Sequence, residues 1–178
     1  MIDNDPECWL HEEPTPEIDR GGRGNVVRFV INTASSAAVR SKSHKNRCGA
    51  ILALTQLLEM CDMHVQFEIT TAIEVGRRRV EFRTVAKAAG EALNLATVSF
   101  WGSSQMEQHI DFSICETLPD CAGSWETDYG TPVGTSDAGD ICFDNMHAAQ
   151  DGVDWNSESS VWRYIVAQLG KQGIKLQK

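Results

Sequence analysis

A chain of 178 residues has the length of one ordinary domain with room for a layered core. At 42% apolar and 23% charged it falls outside the collagenous, low-complexity and wholly disordered classes. A net charge of −9 argues against wholesale nucleic-acid binding, because neutralising phosphates requires a concentrated basic face.

The amino end, MIDNDPECWLHEEPTPEID, is too acidic for a signal or transit peptide, and no apolar run approaches the roughly 20 residues that span a bilayer. Residues 1–24 read as an acidic flexible arm, interrupted by Pro6, Pro14 and Pro16 and closed by Gly21, Gly22 and Gly24. Trp9, between Cys8 and Leu10, is its one apolar anchor, suited to docking on this domain or on a neighbouring subunit.

A single α/β domain is expected over 25–178. Its first strand is Asn25–Asn32, whose nearly continuous Val26, Val27, Phe29, Val30 and Ile31 suit a central position. It stops in the polar turn Thr33–Ser36, and a basic stretch, Arg40–Asn46, leads into a helix carrying Ala50, Ile51, Leu54, Leu57, Leu58 and Cys61 at a 3–4 spacing. His64–Thr71 alternates as a strand with one more polar face, and the turn at Gly76–Arg79 makes Val80–Ala88 its hairpin partner. Leu95–Trp101 reads as a short helix capped by Asn94, and Ile110–Cys115 as a strand. Residues 116–156 form a long loop-rich excursion holding a candidate edge strand, Asp140–Phe143. The closing helix follows Asn156 or Ser157, buries a stripe of Val161, Trp162, Ile165, Val166 and Leu169, and stops at Gly170 or Gly173. This order predicts a right-handed βαβ unit inside a doubly wound, mostly parallel, Rossmann-like sheet, with helices on both faces and an antiparallel edge strand.

The strand-end turn is the first candidate site, because open α/β sheets hold ligands beyond the carboxyl ends of their strands. Here it supplies Asn32, Ala34, Ser35 and Ser36. A hard cation such as Mg²⁺ needs oxygen ligands and nearby anionic charge. An amide at Asn32, a methyl at Ala34 and a hydroxyl at Ser36 offer it little, so no cofactor and no metal is expected. The second candidate is an anion-binding corner of Arg40, Lys42, Lys45 and Arg47 beside the free N–H groups of the helix start. A Cys₂His₂ zinc site from Cys61, His64, Cys142 and His147 has loose spacing. The aspartates Asp137, Asp140, Asp144, Asp151 and Asp154 read as a solvated acidic face, and the cysteines as reduced. No nucleophile stands in a motif that activates it, so the chain leans away from enzymes. Trp101 and Trp162 are expected in the core; Trp9, Trp125, Tyr129 and Trp155 sit in loops, where aromatic side chains anchor interfaces.

The turn NTASS and the following AILALTQLLEMCDMHVQFEITT resemble, in pattern, the von Willebrand factor A-like domains of the cobalt chelatase branch, in which a D-x-S-x-S turn binds a metal. Asn32 replaces the acidic ligand, which implies a degenerate metal site. Over roughly Asp19–Leu176 the chain also resembles uncharacterised proteins of tailed bacteriophages, through its DRGGR lead-in, the Arg47–Leu54 helix, the Tyr129–Pro132 segment and the Trp-containing last helix. The resemblance implies a viral origin and this fold, and brings no established activity; with it the host cytoplasm or the virion is the expected location, the loop aromatics point to a phage or host protein as partner, and the lack of a spanning apolar run points to no membrane association. A non-enzymatic protein-binding domain is therefore expected, able to form a homo-oligomer; the alternative is an anion or nucleotide binder, or weak hydrolase, using the basic corner.

Overall fold

The computed structural model describes residues 25–35, 39–75, 78–96, 98, 131–146 and 152–174. They include β1 Val26–Asn32, α1 Ser41–Glu59, β2 His64–Val75, β3 Arg78–Lys87, β4 Thr131–Pro132, β5 Ile141–Phe143 and α2 Glu158–Lys171, with further helical residues at 95, 96 and 98. The sheet runs β3-β2-β1-β5. Apolar β1 lies at its centre, parallel to β2 on one side and to β5 on the other. β2 and β3 form the expected hairpin, with a bulge at Phe67/Glu68. β1 ends opposite Thr70 while β2 runs on to Val75, and β4 pairs antiparallel with Ile73 and Glu74 of that extension.

Register sorts the side chains onto two unlike faces, since paired residues point the same way. Val27, Phe29 and Ile31 align with Val65, Phe67 and Ile69 and, from β5, with Ile141 and Phe143; all are buried in one core. Ala50, Ile51, Leu54 and Leu58 of α1 and Tyr164, Ile165 and Leu169 of α2 complete that core, and the helices pack against each other. A chain of rings links sheet to helix: Phe67 stacks on Phe29 at 5.6 Å, Phe29 meets Phe143 at 5.7 Å, and Phe143 meets Tyr164 edge-on at 5.5 Å.

The opposite face carries Arg28, Glu68, Thr70, Glu81 and Arg83, joined by ion pairs and hydrogen bonds to one another and, through Arg28, Glu81 and Arg83, to residues 135–137. The doubly wound, Rossmann-like or von Willebrand A-like sheet with helices on both faces is therefore corrected to a small mixed sheet whose two described helices share one side. The polar alternation of β2 is the reason, because a charged face cannot bury a helix's apolar stripe. Moreover, α2 is not a crossover between described strands, so the handedness rule does not send it to the other side.

α2 also sits rotated from its expected stripe. Ser160, Tyr164, Ile165, Gln168 and Leu169 are buried, whereas Trp162 is 55% and Val166 39% exposed. Hydrogen bonds decide the rotation: the Tyr164 hydroxyl donates to the Cys142 carbonyl of β5 at 2.6 Å, and Ser160 Oγ accepts from Asp154 N at 2.9 Å. Trp155, expected at an interface, is 6% exposed against Phe143 and Tyr164. Cys48, Cys61 and Cys142 are thiols outside any disulfide. No described helix is long and apolar enough to cross a membrane. The expected strand at Ile110–Cys115 lies outside the described residues, as do Trp9, Trp101, Trp125, Tyr129 and Ser36.

Candidate functional site

The carboxyl ends of β1 and β5 meet the start of α1 and residues 133–135 at one corner. β2 outruns β1 there, and Asn32 bridges the discontinuity. Its Nδ2 donates to Val133 O at 2.8 Å and to Asp144 Oδ1 at 3.1 Å. Its Oδ1 accepts from Ala34 N at 3.1 Å and from Ala72 N at 3.4 Å. Both amide donors and both acceptor positions are thus engaged, on a side chain with no solvent exposure. Two acceptors face one end and two donors the other, which fixes the orientation of the amide. Asn32, read from sequence as a lost metal ligand, links β1, β2 and residues 133–144.

Around it the polar groups also bind one another. Thr33 N donates to Thr70 O at 2.7 Å, and the Thr33 and Thr71 hydroxyls lie 2.6 Å apart. Asp144 Oδ1 also accepts from Thr135 N at 3.1 Å and Asn145 N at 2.8 Å. A Cβ on Gly134 would lie 2.9 Å from Asp144 Oδ2, so glycine lets this loop approach the carboxylate. Among the described residues no three of His, Cys, Asp and Glu gather as a metal-binding group.

Arg47 enters from α1. It is 5% exposed, and its Nη2 donates to Asn32 O at 2.7 Å and to Phe143 O. The guanidinium therefore occupies the crevice between the two parallel strand ends, where it neutralises their carbonyl dipoles. Beside it Ser43 Oγ donates to Asn156 Oδ1 at 2.9 Å and Asn46 Nδ2 to Trp155 O at 2.7 Å, which ties α1 to the lead-in of α2.

The basic corner is thus divided. Arg40, Lys42 and Lys45 are exposed, while Arg47 is drawn inside. Arg40 stands at the N-cap with no side-chain cap hydrogen bond, and no acid lies in the first turn. Burial first, then the Arg47 charge, pushes the His44 imidazole below its ordinary value, so at neutral pH it adds no positive charge. Burial raises the Cys48 thiol despite the nearby Arg47, keeping it protonated.

A second network, absent from the sequence reading, latches residues 133–140 onto the polar sheet face. Glu81 Oε1 accepts from Thr135 Oγ1 at 2.8 Å and Arg83 Nη2 at 2.9 Å, and its Oε2 from Ser136 N at 3.1 Å. Burial by itself would raise the Glu81 carboxyl, but hydrogen bonds from Arg83, Ser136 and Thr135 outweigh it and hold it down to about 2. Arg28 Nη2 meets Asp137 at 2.7 Å, and Arg28 N donates to Asp140 Oδ2 at 2.9 Å. Asp137 and Asp140, read as part of a solvated acidic face, belong to this latch. The alternation of Glu81 and Arg83 was its only trace in the sequence.

No curated protein and no solved structure matches the chain. A family model described as Domain of unknown function (DUF7192) matches residues 1–175, and the chain belongs to that family.

Proposed function

We propose that this domain is a non-enzymatic protein-binding module, which recognises its partner over the outer surface of the strand-end corner. The observation that carries this reading is the filled crevice. Between the ends of β1 and β5, where an α/β sheet ordinarily holds a small ligand, Arg47 and Asn32 are packed with their side-chain hydrogen bonds directed at main-chain groups and at the Asp144 carboxylate. A corner stitched in this way is a rigid platform for its loops, and rigid platforms with variable loops suit recognition of another protein. The resemblance to tailed-bacteriophage proteins supports a viral setting, as a virion component or an intracellular adaptor.

The test uses the full chain as bait, with Ser35→Arg and Lys42→Glu introduced separately at the corner. Lys42 is exposed, so the melting temperature of Lys42→Glu should stay within about 2 °C of wild type, since substitutions at such positions are worth about 0.5 kcal/mol or less; Ser35 is half-buried, so Ser35→Arg is compared with wild type well below its own melting temperature. A partner identified with wild type should bind each variant at least tenfold more weakly; equal binding would remove the corner from the interface.

A second reading is favoured by the uncapped first turn of α1: an anion or nucleotide bound by Arg40, Lys42 and Lys45. Polyphosphate or nucleotide would then raise the melting temperature, and Arg40→Glu would abolish the rise. No shift at millimolar ligand would eliminate it.

A further inference from the structure

We propose that the acidic segment around Glu12 and Glu13 folds back onto the basic start of α1, so that the chain carries its own occupant for the strand-end corner. α1 is charged the wrong way round for a helix. Arg40 stands at its N-cap and Lys42 in its first turn, with Lys45 just beyond; no acid lies in that turn and no base in the last. α2 follows the ordinary pattern, with Glu158 first and Lys171 last. Positive charge at the amino end of a helix opposes its dipole, and Lys42 and Lys45, three apart, repel each other on one side of the helix. All three basic side chains are exposed, and none has an acidic partner among the described residues, whereas Arg28, Arg79, Arg83 and Lys87 are all ion-paired. A local rule broken without compensation inside its own element marks a surface that something else completes.

The complement must be anionic, and the same chain holds it. Residues 1–24 contain seven acids against two arginines and lead directly into β1. From Val26 to Asn32 that strand covers about 20 Å, and the start of α1 lies beyond its far end, where Arg47 reaches Asn32 O. Asp19, six residues before Asn25, has at most about 20 Å of chain and falls short. Glu13 and Glu12, twelve and thirteen residues before Asn25, have about 40 Å and reach with slack. The path requires the chain to reverse just ahead of β1, where Gly21 and Gly22 stand.

Exposed ion pairs are individually weak, and the tether is what makes these count. A short linker supplies an effective concentration in the millimolar range, so a contact with a Kd of about 1 mM is roughly half closed within one chain and negligible between chains at micromolar concentration. Salt opens it, because the screening length falls from about 8 Å at 0.15 M to about 3 Å at 1 M. The contact stands by itself. Its consequence, that a partner or a free anion must displace the segment to reach the corner, rests on the recognition role proposed above.

Zero-length carbodiimide cross-linking of the full chain at about 5 µM and 50 mM NaCl, with peptide mapping of the monomer, tests the contact without any partner. Glu12 or Glu13 should be amide-linked to Lys42 or Lys45, with a yield at least fivefold lower at 1 M NaCl. Arg40→Glu alters no linked residue and lies at an exposed position, so it should lower the yield at least threefold with an unchanged melting temperature. Combining Glu12→Lys, Glu13→Lys, Lys42→Glu and Lys45→Glu should link the same positions with amine and carboxylate exchanged. Links from the acidic segment to other lysines but not to 42 or 45, links found only in dimers, or a yield indifferent to salt or to Arg40→Glu would overturn the proposal.

Discussion

Replacing Asn32 by Asp changes one atom of size and inverts the chemistry of the corner. Nδ2, which donates to Val133 O and Asp144 Oδ1, becomes an oxygen facing two acceptors. Two hydrogen bonds worth roughly 1 kcal/mol each are lost. A second carboxylate also lies about 3 Å from Asp144, where the repulsion at an effective dielectric of 20 is about 5 kcal/mol. The cheaper route is to protonate one carboxyl, which at pH 7 costs about 4 kcal/mol for a group of ordinary pKa near 4 and restores one donor. The variant should therefore be about 3–5 kcal/mol less stable than wild type at pH 7. Its new carboxyl has a raised folded-state pKa, so its deficit is largest above that value and shrinks as pH falls, by up to about 1.4 kcal/mol per unit. Urea unfolding at pH 7, 6 and 5, followed by circular dichroism, measures the difference between the two chains. A deficit under about 1 kcal/mol at pH 7, or one that does not change with pH, would show that the amide is not bound as described.

Glu81 has its carboxyl held down to about 2 in the fold, so its contribution is fully present above the unfolded value of 4.5 and is lost as pH falls from there towards 2. Glu81→Gln should flatten the stability profile between pH 5 and 3, by roughly 1–2 kcal/mol once solvent screening of Arg83 is allowed for; acid titration of wild type and variant reads it directly. Gly139 has φ +60°, and a Cβ there would lie 2.8 Å from Arg28 O and from Val30 Cγ2, so Gly139→Ala should cost about 2–3 kcal/mol and lower the melting temperature. Lys87, 4% exposed, donates to Val65 O at 2.7 Å and pairs with Glu59 at 2.9 Å. Glu59 is one-third exposed and can rehydrate, so Lys87→Met, which keeps the buried stem, should cost about 1 kcal/mol and Lys87→Ala about 3 kcal/mol in chemical denaturation.

The elements with a continuous or one-sided apolar pattern were legible in the sequence: β1, α1, the β2–β3 hairpin and the existence of α2. What escaped reading was set by hydrogen bonds between distant residues. Tyr164 and Ser160 count as polar in a periodicity, yet their partners in β5 and the 154 turn bring them inside and rotate Trp162 out. Trp155 looks like a loop residue until Asn46 takes its carbonyl and Phe143 its ring. At the corner the sequence singled out Asn32 only as an amide standing where a carboxylate would bind a metal. The absence of a carboxylate was visible, but the four groups that need an amide there come from residues 34, 72, 133 and 144, which no local pattern connects. Arg47 misled in the same way, since its helical position between basic neighbours gives no sign of the two carbonyls that draw it in.

Those long-range bonds converge on three consecutive residues, and this has a measurable consequence. Val133 donates to Ala72 O and accepts from Asn32; Gly134 accepts from Arg79; Thr135 donates through its N–H to Asp144 and through its hydroxyl to Glu81. The strand-end corner and the charged latch therefore hold the same segment from two sides. If segment 133–135 is released as a unit, removing either hold forfeits part of what the other secures, and the second removal costs less than it would alone. Asp144→Ala and Glu81→Gln should then be sub-additive, with an interaction energy of roughly 1 kcal/mol in a double-mutant cycle. Additivity within about 0.3 kcal/mol would mean that the two networks act independently, so that acid titration of the latch could not loosen the corner proposed for partner recognition.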